Sequence, residues 1–165
     1  MTTSSFYTDL QTMTGNASPG RLTAVRKALA TSGLYKGHGA PLTARSAAWL
    51  VYATATAPTV ERAKIMQWLS EKRAFFAKLR EMGETPAVDY LAELFTRPEA
   101  RHDVVAVMLE KHTGAVMTHD GNGFRLLTML SDTPPPALPE CYYLTAATIE
   151  RISKSVAASL AAEMN

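Results

Sequence analysis

Along most of the chain the apolar positions recur at helical spacing, and residues that start or stop helices separate the runs. Leu22, Val25 and Leu29 fall at i, i+3 and i+7, the buried stripe of a helix opened by Ser18-Pro19. Proline suits that first helical position because its missing N–H would be unpaired anyway, and Gly33 can close the helix in a left-handed conformation. Leu34-Tyr35-Lys36-Gly37-His38-Gly39-Ala40-Pro41-Leu42 reads as an exposed loop. Thr43 is an N-cap for a second helix that runs to about Thr56 and stops before Pro58. Thr59 would cap a third helix reaching to about Met82, and Thr85-Pro86 opens a fourth that ends near Arg97-Pro98. Lys72 falls inside the apolar arc of the third helix, so either its amine snorkels to the surface or the helix breaks there. Residues 1–17, rich in Thr, Ser, Gly and Asn, read as a short helix about Phe6–Met13 or as a loose arm.

Beyond residue 102 the period shortens. Asp103–Glu110 holds Val-Val-Ala-Val-Met-Leu, and Ala115–His119 and Phe124–Leu130 flank Asp120-Gly121-Asn122-Gly123. Asp-Gly and Asn-Gly between apolar runs mark a hairpin, since they tolerate the positive φ that such turns require. Two or three antiparallel strands are expected. Pro134-Pro135-Pro136 and Pro139 make a stiff extended connector, and Thr145 caps a last helix with Ile149, Ile152, Val156 and Leu160 on one face. The expected class is α+β, predominantly α: a helical N-terminal half, then a small antiparallel sheet and a C-terminal helix. A length of 165 residues suits one domain. The division falls between a basic helical region, 1–82, and an acidic α+β region, 83–165, packed on it as one compact unit.

Charge gives that division its meaning. The net charge is only +2, but residues 1–80 carry eleven Lys/Arg against three acids, +8, and residues 81–165 carry six against twelve, −6. A basic half points to a polyanionic partner, and an acidic half to a different task. Apolar residues at 47% supply a core, and no apolar stretch approaches the roughly 20 residues needed to span a bilayer, so no membrane partner is expected. Met1-Thr2-Thr3-Ser4-Ser5 carries no basic n-region leading into an apolar h-region, and Cys141 is the single cysteine. A cytoplasmic location is the default expectation.

Chemistry is sparse. Gly37-His38-Gly39 and Gly121-Asn122-Gly123 lack the strand-to-helix context of a phosphate-cradling loop. His38, His102, His112 and His119 show no metal-ligand spacing, one cysteine builds no thiolate site, and no carboxylate pair is spaced for acid–base work. The reading is therefore a non-enzyme with no cofactor and no metal.

Binding surfaces are easier to place. On a helical wheel Arg45, Trp49, Tyr52 and Thr56 fall on one side of the second helix, opposite Ala44, Ala47, Leu50 and Val51. Either Trp49 and Tyr52 pack against a second layer, or they form an exposed partner-binding strip, as Arg, Trp and Tyr do at interface hot spots. With the first helix, this one suggests a helix-turn-helix whose second helix enters the major groove, although the loop is longer than the usual three or four residues. The nucleic-acid-binding set is Arg21, Arg26, Lys27, Lys36, His38, Arg45, Arg62, Arg73 and Arg80. Arg62, Arg73 and Arg80 line one edge of the third helix over about 27 Å, enough to follow several phosphates.

Arg26-Lys27-Ala28-Leu29, through Ser32-Gly33-Leu34-Tyr35-Lys36-Gly37-His38-Gly39-Ala40-Pro41-Leu42-Thr43 and into the Ala/Leu-rich helix, resembles the N-terminal region of small phage or prophage-borne proteins of bacteria. The resemblance covers residues 26–56 and implies a regulator that binds DNA. The expected function is thus a nucleic-acid-binding regulatory protein contacting phosphates of DNA or RNA. The alternative is a protein-binding inhibitor or adaptor, for example phage-encoded, acting through its acidic or aromatic surface on a protein partner. A homodimer is compatible with either.

Overall fold

The structure, a computed structural model, describes residues 6–8, 10, 19–37, 39–111, 114, 116–128 and 141–164. Residues 6–8 and 10 are helical, and α1 follows at Pro19–Thr31. Next come α2 (Ala44–Thr56), α3 (Arg62–Glu81), α4 (Ala87–Thr96) and a single turn, α5 (Pro98–Arg101). Strands β1 (Ala106–Glu110), β2 (Val116–His119), β3 (Phe124–Thr128) and β4 (Cys141–Thr145) precede α6 (Ala146–Glu163). The protein is α+β and predominantly α, with a small antiparallel sheet and a C-terminal helix.

Local signals account for most boundaries. Thr43 accepts a hydrogen bond from the Ser46 amide at 3.1 Å, and Thr145 accepts one from Thr148 at 3.3 Å, so both side chains satisfy an orphan donor at a helix start. Past the end of α1, Gly33 sits at φ 72 while the Leu34 amide reaches back to the Leu29 carbonyl at 2.9 Å. That pattern favours a residue without a Cβ. Thr59 does not open α3: its hydroxyl accepts from the Glu61 amide at 3.1 Å in a tight turn, and the helix begins at Arg62. Nor does α3 break at Lys72, whose stem lies half-buried within an unbroken helix. The predicted Ser18 cap and the proline connector lie outside the described residues.

The sheet has four strands in the order β3-β2-β1-β4, all antiparallel, where the sequence predicted two or three. The extra strand is Cys141-Tyr142-Tyr143-Leu144-Thr145, which leads straight into α6 and lies along β1 with Met108 opposite Tyr143. Asp120-Gly121-Asn122-Gly123 turns the β2–β3 hairpin, with Gly121 at φ 91 and the Asp120 carboxylate accepting from the Asn122 amide at 3.0 Å. Val107, Leu109, Val116 and Leu144 are buried on the inner face. Along α6 the buried stripe takes in Ile149, Ile152 and Val156 but stops short of Leu160, which is 41% exposed.

At the centre lies α2, packed against α1, α4, α6 and β1. Every residue from Ala47 to Thr56 is buried. Alanines at 47, 48, 53 and 55 let neighbouring elements approach on several sides, as a helix apolar all round requires. One continuous core joins Phe6 and Leu10 to α1, α2, α3, α4, the sheet and α6, so both halves of the chain bury their apolar residues together. Among the described residues, no helix is long and apolar enough to cross a membrane.

Candidate nucleic-acid interface

Trp49 and Tyr52 are not an exposed strip. They are 1% and 0% exposed, beneath the aromatic face of α3. Tyr52 stacks on Trp68 with ring centroids 5.9 Å apart and meets Phe76 edge-on at 5.6 Å, while Trp49 lies 5.5 Å from Phe76. The Tyr52 hydroxyl donates to the Gly114 carbonyl at 3.3 Å, and burial pushes its phenol pKa upward. Such aromatic faces lower the free energy most when they meet one another and not water. With Ala47–Thr56 buried, α2 cannot lie in a major groove as a recognition helix. Only its first turn, carrying Arg45, reaches the surface.

The basic residues divide into two groups. Four of the predicted phosphate ligands make bonds within the fold. Arg21 donates from Nε to the Thr54 carbonyl at 2.9 Å and from Nη2 to the Ala57 carbonyl at 2.6 Å, closing the C-terminal end of α2. Arg80 grips Asp89 with two bonds at 2.6 and 2.7 Å, and this hydrogen bonding raises the guanidinium pKa further. Arg62 donates to the Thr31 hydroxyl at 2.7 Å, and Arg73 makes a long 3.5 Å contact to the Ser32 carbonyl. Arg62, Arg73 and Arg80 therefore do not form one track along α3. The first two converge on the C-terminal end of α1, where cations offset the negative end of the helix dipole, while the third is tied to α4.

The other group lines two neighbouring depressions that share Tyr35. One, of about 340 Å³, is bordered by Thr23, Arg26, Lys27, Ala30, Tyr35 and Gly37. The second, of about 210 Å³, is bordered by Gly33, Leu34, Tyr35, Lys36, Pro41, Thr43, Arg45 and Ser46. Among the described residues Lys27, Lys36 and Arg45 are exposed and make no ion pair. No acid occurs between residues 10 and 60, so nothing in this stretch of chain neutralises them. Arg26 stands at the edge of the larger depression with its guanidinium carbon 4.2 Å from the centre of the Tyr7 ring. His38 lies outside the described residues.

The loop that presents Lys36 is not simply exposed. Tyr35 and Leu42 are 3% and 1% exposed, and the Ser46 hydroxyl donates to the Leu34 carbonyl at 3.1 Å. Tyr35 also shares a hydroxyl–hydroxyl hydrogen bond with Tyr7, whose phenol pKa is raised by burial and by that bond. Two buried anchors hold the segment against the core while Lys36 projects from it. Tyr35, Thr23 and Gly37 were absent from the sequence-level site. The signal for the first wall was nevertheless present: Thr23, Arg26, Lys27 and Ala30 fall at i, i+3, i+4 and i+7, a second stripe beside the buried Leu22, Val25 and Leu29.

Some acids of the second half are paired, one of them with an arginine of the basic half. Asp89 pairs with Arg80, Glu99 with Arg97 at 3.0 Å, and Glu150 with both Arg101 at 3.2 Å and Lys154 at 3.5 Å. Among the described residues no group of three His, Cys, Asp or Glu is placed to hold a metal ion. His102 faces Asp103 at 2.9 Å in full exposure, and His119 Nδ1 accepts from the Gly121 amide at 3.1 Å within the hairpin turn. Compared with known proteins, the chain matches no family model, no curated protein and no solved structure.

Proposed function

We propose that the protein binds nucleic acid by its phosphates, through the surface formed by the outer stripe of α1, the segment 33–43 and the first turn of α2. One observation carries this reading: Lys27, Lys36 and Arg45 border two adjoining depressions in a stretch of chain free of acids, without ion-pair partners among the described residues. Cations held close together with no internal counter-charge favour a polyanion, and its bound counterions are released on contact. The burial of α2 removes the element that would read base edges in a groove, so this surface positions a backbone and does not read a duplex sequence. A regulator that uses this surface acts by occupancy or by recruiting a further factor.

A fluorescence-anisotropy titration against a 20-base-pair duplex at rising salt tests the reading. Three phosphate contacts predict a slope of log K against log salt of about −3, and replacing Lys27, Lys36 or Arg45 by Ala lowers that slope by about one each. Absence of binding at low salt rejects the proposal, as does a triple variant that binds like the parent.

A further inference from the structure

The two depressions differ in what they offer. The smaller has Lys36 and Arg45 at its border, two cations suited to a phosphate, while the Thr43 and Ser46 hydroxyls beside them donate within the fold, to Ser46 Oγ and to the Leu34 carbonyl. The larger is bordered by Thr23, Lys27, Ala30, Tyr35 and Gly37 beside Arg26, and its lining is mostly apolar with few polar groups. Arg26 is held at its edge by the Tyr7 ring, so its charge borders the cavity without filling it.

We propose that the larger depression receives an unstacked nucleobase, so that the preferred ligand is single-stranded or looped nucleic acid; this rests on the phosphate-binding reading above. Size is the first argument, since about 340 Å³ lies at the lower end of the range of ligand cavities, roughly 300–1,000 Å³, and suits one nucleotide. Composition is the second: a mostly apolar slot with a few polar groups and a cationic rim matches a flat base joined to a phosphate. Placement is the third. Tyr35 is common to both depressions, so a base in the larger leaves its neighbouring phosphate beside Lys36 and Arg45 in the smaller. A continuous duplex keeps its bases stacked and gains only the phosphate contacts, whereas a single strand gains both.

Anisotropy titrations of the full chain with a 12-nucleotide strand and with its 12-base-pair duplex, at one ionic strength, test this. The strand is expected to bind at least about tenfold more tightly. Ala30→Phe, which projects a ring into the depression from an exposed helical position, should bring the strand-to-duplex affinity ratio down to about one, while Ala30→Ser keeps the parent's ratio. With the unmodified protein, a nucleoside monophosphate should displace the strand at concentrations where inorganic phosphate does not. Equal affinity for strand and duplex, or equal displacement by the nucleotide and by phosphate, overturns the base slot while leaving the phosphate surface standing. Failure of both strand and duplex to bind overturns both.

Discussion

Arg45 and Trp49 stand one turn apart on the same face of α2, yet the arginine is exposed and the tryptophan is 1% exposed. The difference lies in what covers them. From Trp49 onward that face meets the Trp68 and Phe76 rings of α3, whereas the first turn lies beside the segment 33–43 and its depression. A helical face is a direction, and whether it is core or surface depends on how far the neighbouring element extends along it. The same comparison separates the arginines. Arg21, Arg62 and Arg80 find a carbonyl, a hydroxyl or a carboxylate at hand and tie elements together, whereas Arg45 faces outward.

That contrast can be broken most directly at its buried end. Tyr52→Ala or Trp49→Ala removes a ring from the α2–α3 contact and should cost about 3–5 kcal/mol in chemical denaturation, with nucleic-acid affinity of the remaining folded protein unchanged. A mild effect on stability with a large loss of binding would mean that these rings face a partner after all. Arg21→Ala tests the internal arginines. Loss of its two bonds to the Thr54 and Ala57 carbonyls should lower stability by about 1–2 kcal/mol and leave the salt slope of binding as it was. Were the slope to fall by a full unit, Arg21 would belong to the binding surface.

The smallest effect is expected at Lys72, a cation on the buried side of the divide. Its pKa is lowered from the ordinary 10.5 because burial penalises the charged amine. The folded state therefore binds its proton less readily than the unfolded state, and stability from this group rises as pH climbs through the folded pKa toward 10.5. Lys72→Met should then stabilise the protein near neutral pH, by under about 1 kcal/mol, and the gain should shrink at alkaline pH. Thermal melts at pH 7 and pH 10 check both the sign and the trend. A gain that grows with pH contradicts the assignment.

Most elements were legible because their signals are short-range. Thr43 and Thr145 cap helices through the backbone three residues on, Gly33 closes α1, and Asp120-Gly121-Asn122-Gly123 turns a hairpin, all within a few residues of chain. β4 was missed because its five residues end at the cap of α6 and the strand exists only through its pairing with β1. The Thr59 start failed for a related reason: the hydroxyl serves a turn at Glu61, and local patterns cannot say which of two nearby uses it will take.

The amino-acid sequence by itself determined the α+β class, the capped helices, the hairpin and the uneven distribution of charge, since each depends on residue type and on neighbours close along the chain. Tertiary structure alone decided which side chains those features leave free. Arg21 reaches the end of α2, Arg80 reaches Asp89 and Trp49 reaches Phe76 only because separate elements pack around one central helix. The candidate surface is what that packing leaves over: Lys27, Lys36 and Arg45 around the buried Tyr35, cations for which the fold supplies no acid among the described residues.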